Sequence, residues 1–242
     1  MKNQKILILI APSEWKNSWW NFQKEELSFQ FQKPLEIAKN ATEKDLKCKW
    51  ERFEEWIKLN KNIKNWPFLE AINRYSWVVF DNINYSEMSD SWKNFLEENL
   101  FILSWMYWIL KPLDKIWNYK LPVETKWIRE FWWNKIWEKI SEINPEFIIN
   151  LMPESYLKLV WIWKCSKLKK IREKFLKNWK TKIININFFT EKNWEIKKIS
   201  HWVKKFRWEF VKKICEEKIL DYKKFWGEIL ENWEFIEINF FK

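Results

Sequence analysis

The tetrapeptide Glu191-Lys192-Asn193-Trp194 joins two runs rich in β-branched and aromatic residues, Ile183 to Phe189 and Glu195 to Ile199. Strand-like runs this close together need a tight hairpin, and a type I′ turn holds both central residues at φ > 0. Asn-Gly meets that demand. Asn-Trp does not, because a bulky side chain in the left-handed region is an outlier. Asn232-Trp233 precedes another strand-like run, Glu234 to Phe240, in the same way. Asn178-Trp179 follows a helical pattern and precedes a strand, where a helix C′ glycine belongs. The 242 residues include 23 Trp and 1 Gly, where ordinary usage would give about 17 Gly. The pattern reads as glycine rendered as tryptophan at many positions, the outcome of reading UGA codons in the wrong genetic code. The rival reading, a tryptophan-rich chain that uses its rings as stacking platforms, leaves Asn-Trp at turn after turn unexplained.

Charge and cysteine usage narrow the class. Lys and Arg number 44 against 33 Asp and Glu, a net +11, which favours an anionic partner: nucleic acid first, a membrane surface second. An AT-rich genome would also enrich Lys, Asn and Ile. Cys48, Cys165 and Cys215 are far apart, with no C-x-x-C and only His201 as a histidine ligand, so the usual zinc spacings and a disulfide framework are not expected. One histidine also leaves no His-based triad. No apolar run approaches the roughly 18 residues of a membrane span. The expectation is a cytoplasmic chain with no cofactor and no membrane contact.

Along the chain, Lys5 to Ala11 reads as a central strand, followed by the loop Pro12-Ser13-Glu14-Trp15-Lys16-Asn17. Thr42 to Lys61 is helical, with a Thr42–Asp45 cap and an interruption at Trp50 that suggests a helix-hairpin-helix-like element or an ordinary αα corner. Asn65-Trp66-Pro67 is expected to open a short helix, and Trp77 to Phe80 to form a strand. Ser89 to Glu98 reads as an amphipathic helix, Leu100 to Leu103 as a strand, Ile128 to Ile140 as a helix and Phe147 to Leu151 as a strand. Ser166 to Asn178 is a basic helix. After the Ile183 to Ile199 hairpin come a helix from Val203 to about Lys218, another over Asp221 to Leu230, and a closing strand. Strands alternating with helices early and a hairpin late give a mixed α/β protein, an α+β arrangement with one mixed sheet flanked by helices. A single domain over residues 1–242 is expected.

The stretch Leu103 to Lys126 puts Tyr107, Lys111, Asp114, Tyr119 and Lys120 just past a buried strand, where open α/β sheets place binding sites. With Gly written for Trp105, Trp108 and Trp117 it becomes LSGMYGILKPLDKIGNYKLPVET. That resembles the LSGLYGxLRPLDxxxxYRLxM signature of the YaaA family, bacterial proteins linked to peroxide stress and DNA binding. Further segments are similar in the same order. PSEWKN matches PSEGK, AINRYSWVVFDNINY matches AIxRYxGVxYDxLxY, and Phe131-Trp132-Trp133-Asn134 matches FWGD, so that Trp132 reads as tryptophan and Trp133 as glycine. Asn150-Leu151-Met152-Pro153-Glu154-Ser155-Tyr156 keeps Asn150, Leu151 and Tyr156 of NLASxEY but departs at Pro153 and Ser155. KKFRW resembles AKxARG.

The resemblance implies a basic cleft that binds duplex or structured DNA during peroxide stress. The anion-binding residues expected are Lys16, Lys111, Lys120, Lys204, Lys205 and Arg207. Arg207 falls on the apolar arc of its helix with Phe206, Phe210, Val211 and Ile214, so it faces either the cleft or the core. Ser13, Ser104, Tyr107, Asp114, Tyr119 and Asn150 are expected to line the cleft. The alternative is an enzyme or binding protein acting on a nucleotide or nucleobase between Ser104 and Lys120, with a closed pocket around Tyr107 and Asp114.

Overall fold

The computed structural model describes residues 5–19, 32–76, 79–123, 125, 128–153, 156, 181–192, 195–198, 208–212, 214, 216, 228–231 and 235–241. The apolar run Ile6–Ile10 forms β1, buried at all five positions, as a strand covered on both faces must be. It pairs in parallel with β3 (Leu100–Ser104) on one side and β6 (Phe147–Asn150) on the other. From β6 the sheet continues in parallel to β7 (Lys182–Lys192) and β10 (Phe235–Phe241). Antiparallel strands complete it: β4 (Trp108–Leu110) on β3, β9 (Glu228–Glu231) on β10, and β8 (Glu195–Lys198) on the outer half of β7. The main path runs β4-β3-β1-β6-β7-β10-β9, an eight-stranded mixed sheet once β8 is counted. A separate two-stranded ladder joins β2 (Leu69–Glu70) to β5 (Lys115–Ile116).

The strand order explains where a site should fall. From β1 the chain moves to β3 on one side, then returns across β1 to β6 and continues to β7 on the other. The order therefore reverses between β1 and β6. In open α/β sheets the crevice beyond the carboxyl ends of such strands is the usual binding site.

The helices form where caps and apolar stripes coincide. Helix α1 is Gln32–Lys39. Helix α2, Glu43–Leu46, starts from a full capping box in which the Thr42 hydroxyl accepts from Asp45 N and the Asp45 carboxylate accepts from Thr42 N. Helix α3 is Trp50–Lys61. Short helices α4 (Ala71–Arg74) and α5 (Val79–Ile83) precede α6 (Asp90–Asn99), which opens at Ser89 and runs directly into β3. Helix α7, Ile128–Ile143, buries Ile128, Trp132, Ile136 and Ile140, a stripe of one residue every four.

The mixed α/β class, the Thr42 cap, the Leu100 strand and the late hairpin stand as read from the sequence. Other local expectations do not. Val79 and Phe80 lie in α5 rather than in a strand, because Phe80 and Ile83 turn a helical face to the core, Phe80 packing on Tyr75 at 5.2 Å. Pro67 does not open a helix: it follows a 3-10 turn at Ile63–Asn65 and the extended Trp66. Residues 228–230, expected at the end of a helix, pair with β10 as β9. The element expected to resemble a helix-hairpin-helix is a four-residue helix, a turn at Lys47–Lys49 and the twelve residues of α3. The basic helix from Ser166 and the turn at Asn193-Trp194 lie outside the described residues.

Several tryptophans occupy positions that suit glycine. Trp50 and Trp108 have φ of 55° and 78°, the left-handed region a Cβ disfavours. The buried indole nitrogens of Trp105, Trp117 and Trp208 have no hydrogen-bond partner among the described residues, whereas buried Trp normally finds one. Trp132 differs. It is fully buried and donates from Nε1 to Trp105 O at 2.6 Å.

Candidate functional site

Beyond the carboxyl ends of β1 and β6 lies an open cleft whose lining includes Ser13, Glu14, Lys16, Tyr119, Lys120 and Tyr156, with about 20 Å3 of free space. That is room for about one water. The loop after β1 brings Ser13 and Lys16, Tyr119 and Lys120 follow β5, and Tyr156 follows β6. The switch point of the sheet and the cleft coincide.

Two amines face each other there. Lys16 Nζ donates to Ser13 O at 3.0 Å and to Glu14 O at 3.4 Å, and sits 4.2 Å from the centre of the Tyr119 ring. Lys120 Nζ donates to Glu14 O at 3.0 Å and lies over the rings of Trp56 and Trp15. Neither forms an ion pair among the described residues. Burial, then the Lys120 charge, push the Lys16 ammonium well below its ordinary 10.5. Burial also lowers Lys120, while the negative charge of Glu14 works the other way.

Behind the amines runs a buried chain of hydroxyls. Ser104, the last residue of β3, accepts at Oγ from Met106 N at 3.3 Å and Tyr107 N at 3.2 Å. Both of its lone pairs are used, so its own O–H is left to donate to Tyr119 Oη at 3.0 Å. Tyr119 Oη in turn shares a hydrogen bond with Tyr75 Oη at 2.8 Å. Tyr75 is the residue whose main chain bridges to Lys16. Burial raises all three tyrosines of this region, Tyr119 to about 12 and Tyr75 and Tyr107 well above their usual value, so their hydroxyls stay neutral.

Arg74 closes the floor. It is 1% exposed and its guanidinium reaches only main-chain oxygens: Asn17 O, Trp19 O at 3.1 Å and Pro67 O at 3.0 Å. Its Nε has no hydrogen-bond partner among the described residues. Burial lowers it to about 10. By tying the loop after β1 to α4, this arginine fixes where Lys16 stands.

The sequence-expected residues divide clearly. Ser13, Lys16, Tyr119 and Lys120 line the cleft, with Ser104 directly behind Tyr119. Tyr107 is buried below it, its hydroxyl accepting from Trp117 N at 3.1 Å. Asp114 closes the 111–114 turn by accepting from Lys111 N at 2.7 Å, and the Lys111 side chain is exposed over Phe101. Asn150 is engaged inside the sheet, donating to Asn185 Oδ1 at 2.8 Å and accepting from Met152 N. Neither Tyr107 nor Asp114 lines the Lys16–Lys120 cleft. Lys204, Lys205 and Arg207 lie outside the described residues; downstream, Phe210, Val211 and Ile214 are buried as that helical arc requires.

Sequence reasoning missed Asn60, Arg74 and Tyr75. Arg74 and Tyr75 were legible within the Asn73-Arg74-Tyr75 segment, but nothing marked the arginine as buried. At the Lys47–Lys49 turn, Trp50 N donates to Glu43 Oε1 at 3.2 Å. Cys48 is buried and its thiol raised by burial, the reverse of a reactive thiolate. No helix among the described residues is long and apolar enough to cross a membrane.

Comparison with known proteins gives one consistent picture. The family model described as peroxide stress protein YaaA matches residues 6–237. A UPF0246 protein of Malacoplasma penetrans is 30% identical over 174 residues, covering 63% of this chain and 69% of the relative. A UPF0246 protein of Rickettsia conorii is 27% identical over 188 residues, 74% of this chain and 68% of its own length. One of Rickettsia bellii is 29% identical over 198 residues, 76% and 74% of the two chains.

Proposed function

We propose that this chain, which belongs to the peroxide stress protein YaaA family, serves the peroxide stress response as one cytoplasmic domain by binding phosphates of duplex or structured DNA across the Lys16–Lys120 cleft. The observation that carries this reading is the pairing of two amines that form no ion pair among the described residues, in a cleft where Glu14 is the one carboxylate against two cations. Each is held only by main-chain oxygens and aromatic rings, and each is disfavoured as a cation. An incoming phosphate relieves that cost by supplying the missing negative charge. The net charge of +11 supplies long-range attraction. In this reading Lys111, which is exposed, and Lys204, Lys205 and Arg207 supply further phosphate contacts.

The test is the salt dependence of duplex binding. Log affinity should fall linearly with log salt, and Lys120→Ala should reduce the slope by roughly 1 with little change in sequence preference. Affinity indifferent to salt would remove the proposal.

A second reading, action on a nucleotide or nucleobase, is favoured by the buried Ser104–Tyr119–Tyr75 hydroxyl chain beside the amines. The glycine reading bears on both. Trp15 is 50% exposed and overlies Lys120. Glycine there would remove the ring and open the loop amides to an anion.

A further inference from the structure

We propose that Lys16 is an amine nucleophile that forms a Schiff base with the aldehyde of a phosphorylated sugar, while Lys120 holds the phosphate. This rests on the reading of the cleft as a phosphate site. The chemistry fits two sources: an abasic deoxyribose in a DNA strand, whose aldehyde is flanked by phosphates, and a free sugar phosphate.

The geometry around Nζ is the argument. Ser13 O and Glu14 O accept two of its protons, at 3.0 and 3.4 Å. A neutral amine has only two N–H bonds, so both can be used on these oxygens while the lone pair is left for the cleft it lines. No carboxylate forms an ion pair with it among the described residues; the Tyr119 ring and the Glu14 charge favour the ammonium, and burial and the Lys120 charge oppose it. The second cation, Lys120, shares the same cleft and the same Glu14 carbonyl. A lysine buried beside another cation is the arrangement that keeps an amine unprotonated near neutral pH. The lowering of Lys16 by burial and by Lys120 agrees with it.

The step balances without a co-reactant. Nζ attacks the aldehyde carbon, a C–N bond forms, and the carbonyl pair moves to oxygen. The resulting carbinolamine loses that oxygen as water, together with both hydrogens the amine brought, and a C=N bond remains. Nothing is oxidised or reduced.

Borohydride reduces the imine to a stable secondary amine, so the adduct can be trapped on the full chain. One arm uses a duplex oligonucleotide containing an abasic site, the other deoxyribose 5-phosphate. Peptide mapping should place the adduct on Lys16, and Lys16→Arg should lower trapping about tenfold or more, because a guanidinium is not a nucleophile. An adduct with the abasic duplex alone assigns the DNA source; an adduct with both assigns the sugar phosphate itself. Adducts spread over exposed lysines, or none on Lys16 of the unaltered chain, overturn the proposal whether or not the variant folds. Binding of an intact duplex, measured in parallel, separates the two readings. Duplex binding without a Lys16 adduct sinks only the Schiff base, whereas no duplex binding sinks the phosphate cleft as well.

Discussion

Asn60 grips the main chain of Lys120 at both of its polar atoms. Its Oδ1 accepts from Lys120 N at 2.9 Å and its Nδ2 donates to Lys120 O at 2.7 Å. The same Nδ2 reaches Ala38 O at 2.9 Å, and the side chain is 0% exposed. One residue of α3 thus joins α1 to the segment that carries Tyr119 and Lys120. The cleft stands on a buried amide whose hydrogen-bonding capacity is nearly exhausted.

Replacing Asn60 with Ala strands Lys120 N–H, Lys120 C=O and Ala38 C=O in a site closed to water. Each unsatisfied buried group costs about 1–3 kcal/mol, so we expect a loss of about 2–4 kcal/mol in urea unfolding. A loss below about 1 kcal/mol would mean that water or main-chain movement replaces the clamp. Duplex affinity per folded molecule should also fall, since Lys120 loses its anchor.

Trp50→Gly should raise stability by about 1 kcal/mol, the usual penalty for a side chain in the left-handed region. Its ring is 82% exposed, so little burial is lost. Trp108 stacks on Trp132 at 6.2 Å, so Trp108→Gly trades relief of strain against a lost ring contact and should change stability less. The gene supplies an independent check. UGA should stand at Trp105, Trp108, Trp133, Trp194 and Trp233, and UGG at Trp132. UGG at all of them would end the glycine reading, as would clear destabilisation by Trp50→Gly.

How far the sequence could be read follows from where each signal lives. Period and turn chemistry are local, so the apolar strands, the Thr42 cap and the left-handed positions of Trp50 and Trp108 were legible. Tertiary partners are not. Residues 79–83 are too short for a helical period to declare itself, and their form is decided by packing of Phe80 on Tyr75. Lys16 and Lys120 were both marked, one from a loop and one from the Leu103–Lys126 stretch. Nothing local said that they share the carbonyl of Glu14, which lies 106 residues before Lys120. Asn60 looks like any polar residue late in a helix, and Arg74 like any basic one.

Ser104→Ala removes the acceptor for Met106 N and Tyr107 N and the donor to Tyr119. The turn after β3 then holds two buried amides without a partner, at a cost of about 2–3 kcal/mol in thermal or urea unfolding. Tyr119→Phe keeps the ring under Lys16 but breaks the hydroxyl chain, so it should cost about 1 kcal/mol or somewhat more. Equal, negligible effects for the two variants would show that the chain contributes nothing.

The paired lysines and buried tyrosines give stability a definite dependence on pH. Lys16 and Lys120 are held below 10.5 in the fold, whereas the unfolded chain keeps the ordinary value. Between the folded and unfolded values the unfolded chain binds more protons, so stability should rise with pH toward 10. Tyr119 behaves in the opposite sense. It is lifted from 10.0 to about 12 by burial, so above pH 10 the unfolded chain loses protons that the fold retains, and stability should fall. Tyr75 and Tyr107, raised for the same reason, steepen that fall. Urea midpoints at several pH values should therefore pass through a maximum near pH 10. Lys16→Met removes the charge that the fold disfavours, so it should flatten the rising limb and leave the falling one in place. A rising limb of the same steepness in Lys16→Met would show that the Lys16 amine is as well solvated in the fold as in the unfolded chain.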